Sequence, residues 1–362
     1  MGDVLVVNAG STSLKLHRVA PDETSAPVAG LEAVDAIGIE AVAHRVVHGG
    51  EAFVRPALID PAVRRAIDDL EPLAPLHNAP ALDAIDEALR RFPDTPQVAV
   101  FDTLFHASMP PEAREYAVPR RWRDEWGVRR YGFHGLSVAW AAERSAALLG
   151  RAAADLRLVV CHLGGGCSVT AVAAGRSCDT TMGFSPLEGV PMATRSGSID
   201  PAVLVYLERT HGMDADDIDH ALTADSGLLG LGGSGDMRDL EAAARDGSDA
   251  ARLAIDVFCH RVAGAVGRWR SRPAAWTRSS LPAASARARP ARVPRSLAAS
   301  ACSAPRSTRS GTTRSAATAT SPRAAREHGC WSSRAARRSS RPGQRGTLRA
   351  GRDAKPPRLG KG

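Results

Sequence analysis

The order of apolar and polar residues along the first 270 positions predicts alternating strands and helices. Apolar runs at 4–7, 42–47, 97–101 and 156–161 predict strands, and a polar or glycine-containing segment follows each of them. The first run and residues 14–16 flank a short Gly/Ser turn, which predicts a hairpin. Strands that alternate with helices are typical of the α/β class, so we expect an α/β fold.

Two segments between the predicted strands have helical spacing. From Asp60 to about Phe92 apolar residues recur every three or four positions, and prolines should break this stretch into pieces. The prolines are Pro72, Pro75 and Pro80. An alanine-rich run from Val138 to Leu149, closed by Gly150, predicts a second helix.

The pattern stops near residue 270. Residues 271–362 hold 21 of the 47 Lys and Arg and two of the 39 Asp and Glu, so this part carries +19 and the first 270 residues carry −11. It contains one Val and no Ile, Phe, Tyr or Met, too little to offset the entropy lost on folding. We expect a basic, low-complexity, disordered tail that binds nucleic acid only non-specifically, through its charge.

Bulk features narrow the class of protein further. The chain has no apolar run of about 18 residues and no basic-then-apolar signal pattern at its start, so we expect no membrane association. Its six cysteines show neither CxxC nor metal-binding spacing. Free thiols in a reducing cytoplasm are the expectation.

Three glycine- and serine-rich segments have the composition of phosphate-binding turns. They are residues 8–13, which Lys15 follows, residues 162–168 and residues 226–239. Backbone N–H groups that no Cβ screens can surround phosphate oxygens. Each segment taken alone is equally compatible with an ordinary polar turn, and we predict a turn for the last of them.

Four charged or polar side chains between these turns could act on an anion. Arg45 stands among apolar neighbours and Arg195 in a Gly/Ser loop, and a guanidinium can bind phosphate or carboxylate at two points. Asp102 follows a predicted strand, and His134 stands between glycines. The alternatives are a structural ion pair for Arg45, a turn cap for Asp102 and a loop histidine for His134. Together the four favour a phosphorylated ligand.

In their order, these segments resemble acetate kinase, the family that moves phosphate between ATP and acetate. The matching stretches are VVNAGSTSLK, HRVVHGGE, LAPLHNAPAL, FDTLFHASMP, RRYGFHGLS, HLGGGCS, DTTMGFSPLEGVPMATRSGSIDP and SGLLGLGG with DMRD. The resemblance runs from about residue 3 to 268. It implies two ribonuclease-H-like domains of the sugar kinase/Hsc70/actin type, here residues 1–103 and 104–270, followed by the tail.

The resemblance also implies roles for single residues. Arg45 and Arg195 would hold the acetate carboxylate and the phosphoryl group, His134 would stabilise that group in transfer, and Asp102 would be the catalytic carboxylate. Asn8 would help to hold Mg²⁺. The implied ATP-binding residues are Lys15, His162, Leu163, Gly164, Gly165, Gly166, Asp236, Met237 and Arg238. The implied ligands are ATP, ADP, acetate and acetyl phosphate, and the implied assembly is a homodimer.

The chain departs from the family pattern in three places. The stretch between Lys15 and Arg45 is shorter than in many members, and Gly165 stands where Asn is usual, with a modest expected effect. After Val262 the family continues with a strand, an adenosine loop of the Gly-Gly-Ile-Gly-Glu type and a late Glu that binds Mg²⁺. None of these is present in this sequence.

A shift of reading frame between about Arg268 and Ala275 is our hypothesis for the third departure. Codons for Ala275 to Ala286, read from each third base, permit LDALVFTGGIGE, which has the character of the missing strand and loop. We therefore expect the 362-residue product to be inactive or misfolded. The alternatives are a propionate or butyrate kinase of the same family, since one methylene is worth only about 1–3 kcal/mol, and a non-catalytic remnant whose tail binds nucleic acid.

Overall fold

The structure, a computed structural model, describes residues 2–10, 14–73, 75–270 and 278–280. All of them lie within one compact unit, residues 1–304. The predicted tail therefore lies outside the described residues, apart from 278–280. The fold is α/β, as predicted, with two separate sheets.

The first sheet has six strands in the order β3-β2-β1-β4-β6-β5. The strands are β1 (Asp3–Ala9), β2 (Leu14–Val19), β3 (Ser25–Val28), β4 (Ile39–Val46), β5 (Ala57–Leu58) and β6 (Gln97–Phe101). Strands β1, β4 and β6 are parallel, and their carboxyl ends therefore meet at one edge. The predicted strands and the β1–β2 hairpin are confirmed, although turn residues 11–13 lie outside the described part.

Helices α1 (Pro61–Asp68) and α2 (Pro75–Arg91) pack on this sheet. Ile85 of α2 is completely buried and Leu82 nearly so, as their helical spacing predicts. The prediction that Pro80 breaks the helix is wrong, because this residue lies inside α2. Burial of the apolar face of α2 against the sheet offsets the cost of a proline in the helix, which is about 3 kcal/mol.

The second sheet has four strands in the order β10-β7-β8-β9. They are β7 (Arg157–Leu163), β8 (Cys167–Ala173), β9 (Arg176–Thr180) and the short β10 (Arg278–Ser280), which runs parallel to β7. Helix α5 (Gly135–Leu149) covers one face, and helix α10 (Asp249–Arg270) covers the other through Val262 and Trp269. The sheets fall on either side of residue 103, and the predicted division into domains at this position stays a prediction.

Six further α-helices lie in the described chain: α3 (Pro111–Arg114), α4 (Arg120–Trp126), α6 (Ala202–His211), α7 (Ala215–Thr223), α8 (Gly227–Gly232) and α9 (Met237–Arg245). Four short 3-10 helices connect other elements: Leu31–Ala33, Glu71–Leu73, Leu104–Ser108 and Ala153–Asp155. The turn predicted within 226–239 is found at residues 233–236, between the end of α8 and the start of α9. The glycine-containing residues before it form helix α8. Burial of Leu228 and Leu240 against Ala251 and Ala254 of α10 outweighs the poor helix propensity of the glycines. No helix among the described residues is long and apolar enough to cross a membrane.

The end of α10 is fixed by one buried contact. Trp269 is 1% exposed, and its Nε1 donates a hydrogen bond of 3.0 Å to Oδ2 of Asp179 in β9. Arg268 also lies 3.4 Å from that carboxylate oxygen. The chain therefore continues to fit the fold through residue 269, beyond the start of the interval in which the frame is expected to change.

Two buried histidines should make this fold sensitive to acid. Burial lowers the pKa of His48 and of His106 to about 4, although the Phe184 and Phe133 carbonyls, respectively, favour their protonated forms. Because an unfolded histidine titrates near 6.5, this contribution is complete above pH 6.5 and is lost as the pH falls toward 4. At about pH 4 we expect a loss of about 3 kcal/mol per histidine.

The measurement is urea unfolding between pH 7 and 4, with His106→Gln as the comparison. In the structure the His106 ring bonds to Ser177 Oγ at 2.9 Å and to the Phe133 carbonyl at 3.0 Å, and a neutral amide can replace both bonds. The variant should therefore lose less stability on acidification than the parent. If the free energy of unfolding fell equally with pH in the two proteins, the buried, neutral state assigned to His106 would be contradicted.

Candidate functional site

The site begins at the edge where parallel strands of the first sheet end. Asn8 near the end of β1 stands beside Arg45 of β4 in the strand register. Asp102 is the residue after β6, and its N–H donates to the Val46 carbonyl at 3.0 Å. Strand pairing alone thus brings together three residues that lie far apart in the sequence.

These three side chains are joined by hydrogen bonds. Arg45 Nε donates to both Asp102 carboxylate oxygens, at 3.1 and 3.2 Å, its second terminal nitrogen forms an ion pair with Oδ2, and its Nη1 donates to Asn8 Oδ1 at 2.9 Å. Asp102 is almost fully buried, whereas the Arg45 side chain is 28% exposed. Burial opposes the charge on Arg45, but the hydrogen bonds and charge of Asp102 outweigh it and raise the pKa of Arg45.

Residue 102 also positions the start of helix α5. The Gly135 N–H donates to the Asp102 carbonyl at 2.7 Å, and a Cβ on Gly135 would lie 2.2 Å from that oxygen. His134, the residue before the helix, adopts a left-handed backbone with φ of 63°. That conformation is uncommon outside glycine, so the close contact at Gly135 and the turn at His134 together aim the histidine ring.

Replacement of Gly135 by alanine is expected to destabilise the fold by about 1–3 kcal/mol, because the new methyl must displace the Asp102 backbone or the helix. Urea unfolding measures the loss. The control is Gly264→Ala in α10, where a Cβ meets nothing within 4 Å and alanine should stabilise the helix. A Gly135→Ala protein as stable as its parent would contradict the described contact.

His134 faces the glycine loop of the second sheet. Its Nδ1 lies 3.0 Å from Ser168 Oγ, and its ring centroid is 4.1 Å from that of His162 at the end of β7. Burial, followed by the charges of His162, Arg45 and Arg195, holds the pKa of His134 well below its usual value. His134 is therefore neutral at physiological pH and can donate one N–H into the site. Burial also lowers the pKa of His162.

The loop between β7 and β8 leaves open space where a ligand could lie. A Cβ on Gly165 would meet nothing within 4 Å, and one on Gly164 only the Gly166 carbonyl at 3.6 Å. A Cβ on Gly166 would lie 3.2 Å from His134 Nε2 and 3.6 Å from Arg195 Nη1. Neither crowding nor a positive φ requires glycine at 164 or 165, so these glycines suit close approach of a ligand to the backbone.

Arg195 brings a largely buried positive charge to the site. Its Nη1 donates to the Pro186 carbonyl at 3.1 Å, and it forms no ion pair with any carboxylate in the described part of the chain. Burial lowers the pKa of this guanidinium. A largely buried cation without a protein counterion favours the binding of an anion.

The other residues predicted to bind ATP lie on separate elements, namely β2, the end of β7 and the start of α9. Lys15 is exposed on β2 opposite Asn8. Asp236 caps α9, where it forms an exposed ion pair with Arg238, and that bond lowers the pKa of Asp236 to about 2. This segment adjoins the Arg195 loop, since a Cβ on Gly235 would contact Ala193 at 3.2 Å. Leu163 ends β7, and Met237 begins α9.

Asn8 is the described residue that would help to hold a Mg²⁺ ion. Its Oδ1 accepts a hydrogen bond from Arg45, and an amide oxygen belongs to the oxygen ligands that Mg²⁺ prefers. Within the described ranges, no group of three or more His, Cys, Asp or Glu could hold a metal ion alone.

The sequence suggests Gly135 only as a glycine that allows close approach of a ligand, and it suggests no role for the Ser168 side chain. Ser168 lies in the HLGGGCS stretch and is fully buried, and its hydroxyl lies 3.0 Å from Nδ1 of His134, where it fixes the ring. In the structure Gly135 meets the Asp102 carbonyl instead of open space.

Comparison with known proteins gives a consistent result. The model of the acetokinase family matches residues 29–273. An acetate kinase of Clavibacter michiganensis subsp. michiganensis is 50% identical over 232 residues, which cover 64% of this chain and 59% of the relative. An acetate kinase of Leifsonia xyli subsp. xyli is 44% identical over 313 residues, which cover 74% and 79%.

Solved structures resemble the fold of this chain over about three quarters of its length. A propionate kinase from Francisella tularensis has a TM-score of 0.72 at 34% identity, with 77% of this chain and 83% of that chain covered. An acetate kinase from Porphyromonas gingivalis has a TM-score of 0.66 at 32% identity, with 75% and 80% covered. The chain spans about three fifths of the length of the Clavibacter relative.

Proposed function

Because the chain belongs to the acetokinase family, we propose that its site transfers a phosphoryl group between ATP and a short-chain carboxylate, with acetate as the first candidate. The observation that carries the proposal is the largely buried Arg195 guanidinium, which has no carboxylate partner among the described residues, beside His134 and the open glycine loop. Phosphoryl transfer needs positioning and neutralisation of charge more than covalent chemistry from the protein. These side chains are suited to both tasks.

Arg45 is suited to the carboxylate. Among the described residues, Asp102 and Asn8 use three of its five N–H groups, and the two that remain can hold a carboxylate at two points. Asp102 fixes the plane of the guanidinium, and its negative charge keeps Arg45 from binding an anion too tightly for release. In this role Asp102 orients Arg45 while lying beside the reacting groups.

His134 and Arg195 are suited to the phosphoryl group. Ser168 can donate its hydroxyl proton to His134 Nδ1, which leaves the ring proton on Nε2. Nε2 and Arg195 Nη1 both lie near Gly166, at 3.2 and 3.6 Å from the position of a Cβ on that residue. One neutral donor and one cation would then face the equatorial oxygens, with the N–H groups of the loop behind them. The loop, together with Lys15 and residues 236–238, is our proposed binding region for ATP.

Mg²⁺, held through Asn8 and the nucleotide phosphates, would neutralise charge on the β- and γ-phosphates when bound. Propionate is the second candidate acceptor, because the propionate kinase of Francisella tularensis matches this fold. One methylene changes binding by only about 1–3 kcal/mol, so both acceptors can fit similar sites. The homodimer and a cytoplasmic location also remain proposals.

Trapping of acyl phosphate with hydroxylamine tests the proposed reaction. We propose that the 362-residue chain is much slower than an intact family member, because the nucleotide half of its site is incomplete. Acetate, propionate and butyrate are compared, each with Mg²⁺ and ATP, and with Arg195→Gln as the inactive reference. Hydroxamate formation that Arg195→Gln leaves unchanged, or turnover by the parent at the rate of intact relatives, would contradict this account.

A further inference from the structure

Two loops carry the groups assigned to the phosphoryl group, and one carboxylate joins them. His134 follows residues 130–133, and Arg195 follows the long segment 181–194. Glu188 lies in the second of these segments and forms an ion pair of 2.6 Å with Arg130 in the first. Their side chains are 33% and 14% exposed, so solvent screens the pair only partly.

Arg130 binds the second loop at several points. Its Nη1 donates to the carbonyls of three successive residues, at 3.2, 3.1 and 2.9 Å, and its Nη2 to Glu188. The three carbonyls belong to Thr180, Thr181 and Met182. The backbone N–H groups of Tyr131 and Gly132 both donate to the Gly183 carbonyl, at 3.0 and 3.1 Å.

Tyr116, which lies in a third segment, also contacts Glu188. Its hydroxyl donates to Glu188 Oε2 and accepts the Phe184 N–H at 3.0 Å. Burial, together with the Glu188 hydrogen bond, raises the pKa of Tyr116, so the hydroxyl stays protonated. A Cβ on Gly183 would lie 1.7 Å from Glu188 Oε2, so glycine at 183 makes room for the carboxylate.

The same loop holds Arg195 in place. Pro186, two residues before Glu188, accepts the hydrogen bond from Arg195 Nη1 at 3.1 Å. A displacement of Glu188 would therefore move the carbonyl that orients Arg195, and it would free Arg130, which stands four residues before His134.

We propose that Glu188 is a positioning residue, which through Arg130 and Tyr116 fixes the distance between His134 and Arg195. The inference rests on the proposed function only in that these two groups receive a phosphate. It requires no contact between Glu188 and the ligand.

The direction in which phosphate affinity changes in Glu188→Gln distinguishes a positioning role from a purely electrostatic one. Glu188 is negative, so removal of its charge should by itself favour binding of an anion, and it also leaves Arg130 without its counterion. If Glu188 positions the site, Glu188→Gln should instead weaken binding. We expect inorganic phosphate to bind about tenfold more weakly to Glu188→Gln, within the range measured for coupled residues.

The test is calorimetric titration of inorganic phosphate, and separately of acetyl phosphate, into the 362-residue chain and its variants. In an Arg195→Gln background, Glu188→Gln should cause less than about twofold further loss, because one of the two groups whose separation it fixes is gone. Glu208→Gln, an exposed carboxylate on α6, is the matched control and should leave both affinities unchanged. Tyr116→Phe removes only one hydroxyl and should give a smaller loss in the same direction, so the test survives if Glu188→Gln fails to fold.

The outcomes are distinct. If Glu188→Gln binds inorganic phosphate as tightly as the parent, or more tightly, the positioning role is overturned. This holds even if the melting temperature of the variant is lower. An equal loss in both backgrounds also overturns it, because a merely structural residue would act without regard to Arg195. Binding of inorganic phosphate with the expected coupling, but no binding of acetyl phosphate, would support the positioning role and overturn the proposed function. A parent chain that binds neither probe overturns both.

Discussion

Restoration of the reading frame after residue 269 is expected to raise the rate of acetyl phosphate formation by at least about 10³-fold over the 362-residue chain, because each misplaced or missing group in such a site costs about 10²–10³. The described structure supports this position for the break. Trp269 is buried and bonded to Asp179, and the family match ends at residue 273. The sequence that follows changes character at once.

Strand β10 adds a structural argument. It runs parallel to β7, whose residues Leu158, Val159 and Val160 are no more than 2% exposed. Parallel strands beside such a buried strand are normally apolar, yet β10 has the sequence Arg-Ser-Ser. The alternative frame permits LDALVF at this point, followed by a glycine loop, which suits a buried parallel strand before a phosphate or nucleoside.

The measurement has two parts. The DNA across codons 262–290 should be compatible with LDALVFTGGIGE in the shifted frame, and the restored protein should outpace both the 362-residue chain and a chain that stops at residue 270. Codons incompatible with that frame would contradict the hypothesis. Equal rates for all three proteins would show instead that the sequence after residue 270 contributes nothing to the reaction.

Replacement of Arg195 by glutamine in the restored chain is expected to lower kcat by about 10³-fold, the lower part of the range for an arginine that stabilises a transferring phosphoryl group. Arg195 has no carboxylate partner in the described chain, so its charge is available to the ligand. Arg195→Lys should be intermediate, because a lysine keeps the charge but loses the two-point geometry.

The assay is hydroxamate formation at saturating acetate and Mg²⁺-ATP, with Arg209→Gln as the control. Arg209 is an exposed arginine on α6, and its replacement should change kcat by less than about twofold. A loss confined to KM for acetate would contradict the assignment, because it would mean that Arg195 binds the carboxylate and not the transition state.

Much of the first sheet, and the site residues that lie on it, could be predicted because local runs of apolar residues indicate where the strands are. The apolar runs that become β1, β4 and β6 fix three parallel strand ends, and Asn8, Arg45 and Asp102 all lie at those ends. Their approach follows from topology alone. The carboxylate–guanidinium bond was foreseen only as an alternative, and it proves compatible with a functional role for Arg45.

Other features depend on contacts that no local pattern contains. Helix α8 has three glycines in six residues, and only burial of Leu228 against α10 makes that segment helical. The Arg130–Glu188 pair joins residues 58 positions apart, between two loops without periodicity. The approach of His134 to Arg195 was likewise implied only by the family resemblance, since no periodic pattern links the two loops.

Titration of acetyl phosphate into the purified 362-residue chain tests the central claim most directly, because it probes the acyl phosphate half of the site without the nucleotide half. One equivalent should bind to the parent and to Arg209→Gln, and Arg195→Gln should bind at least tenfold more weakly, as expected for a lost charged hydrogen bond of about 1.5–3 kcal/mol. Equal affinity of the parent and Arg195→Gln would contradict the assignment of Arg195 to the phosphoryl group.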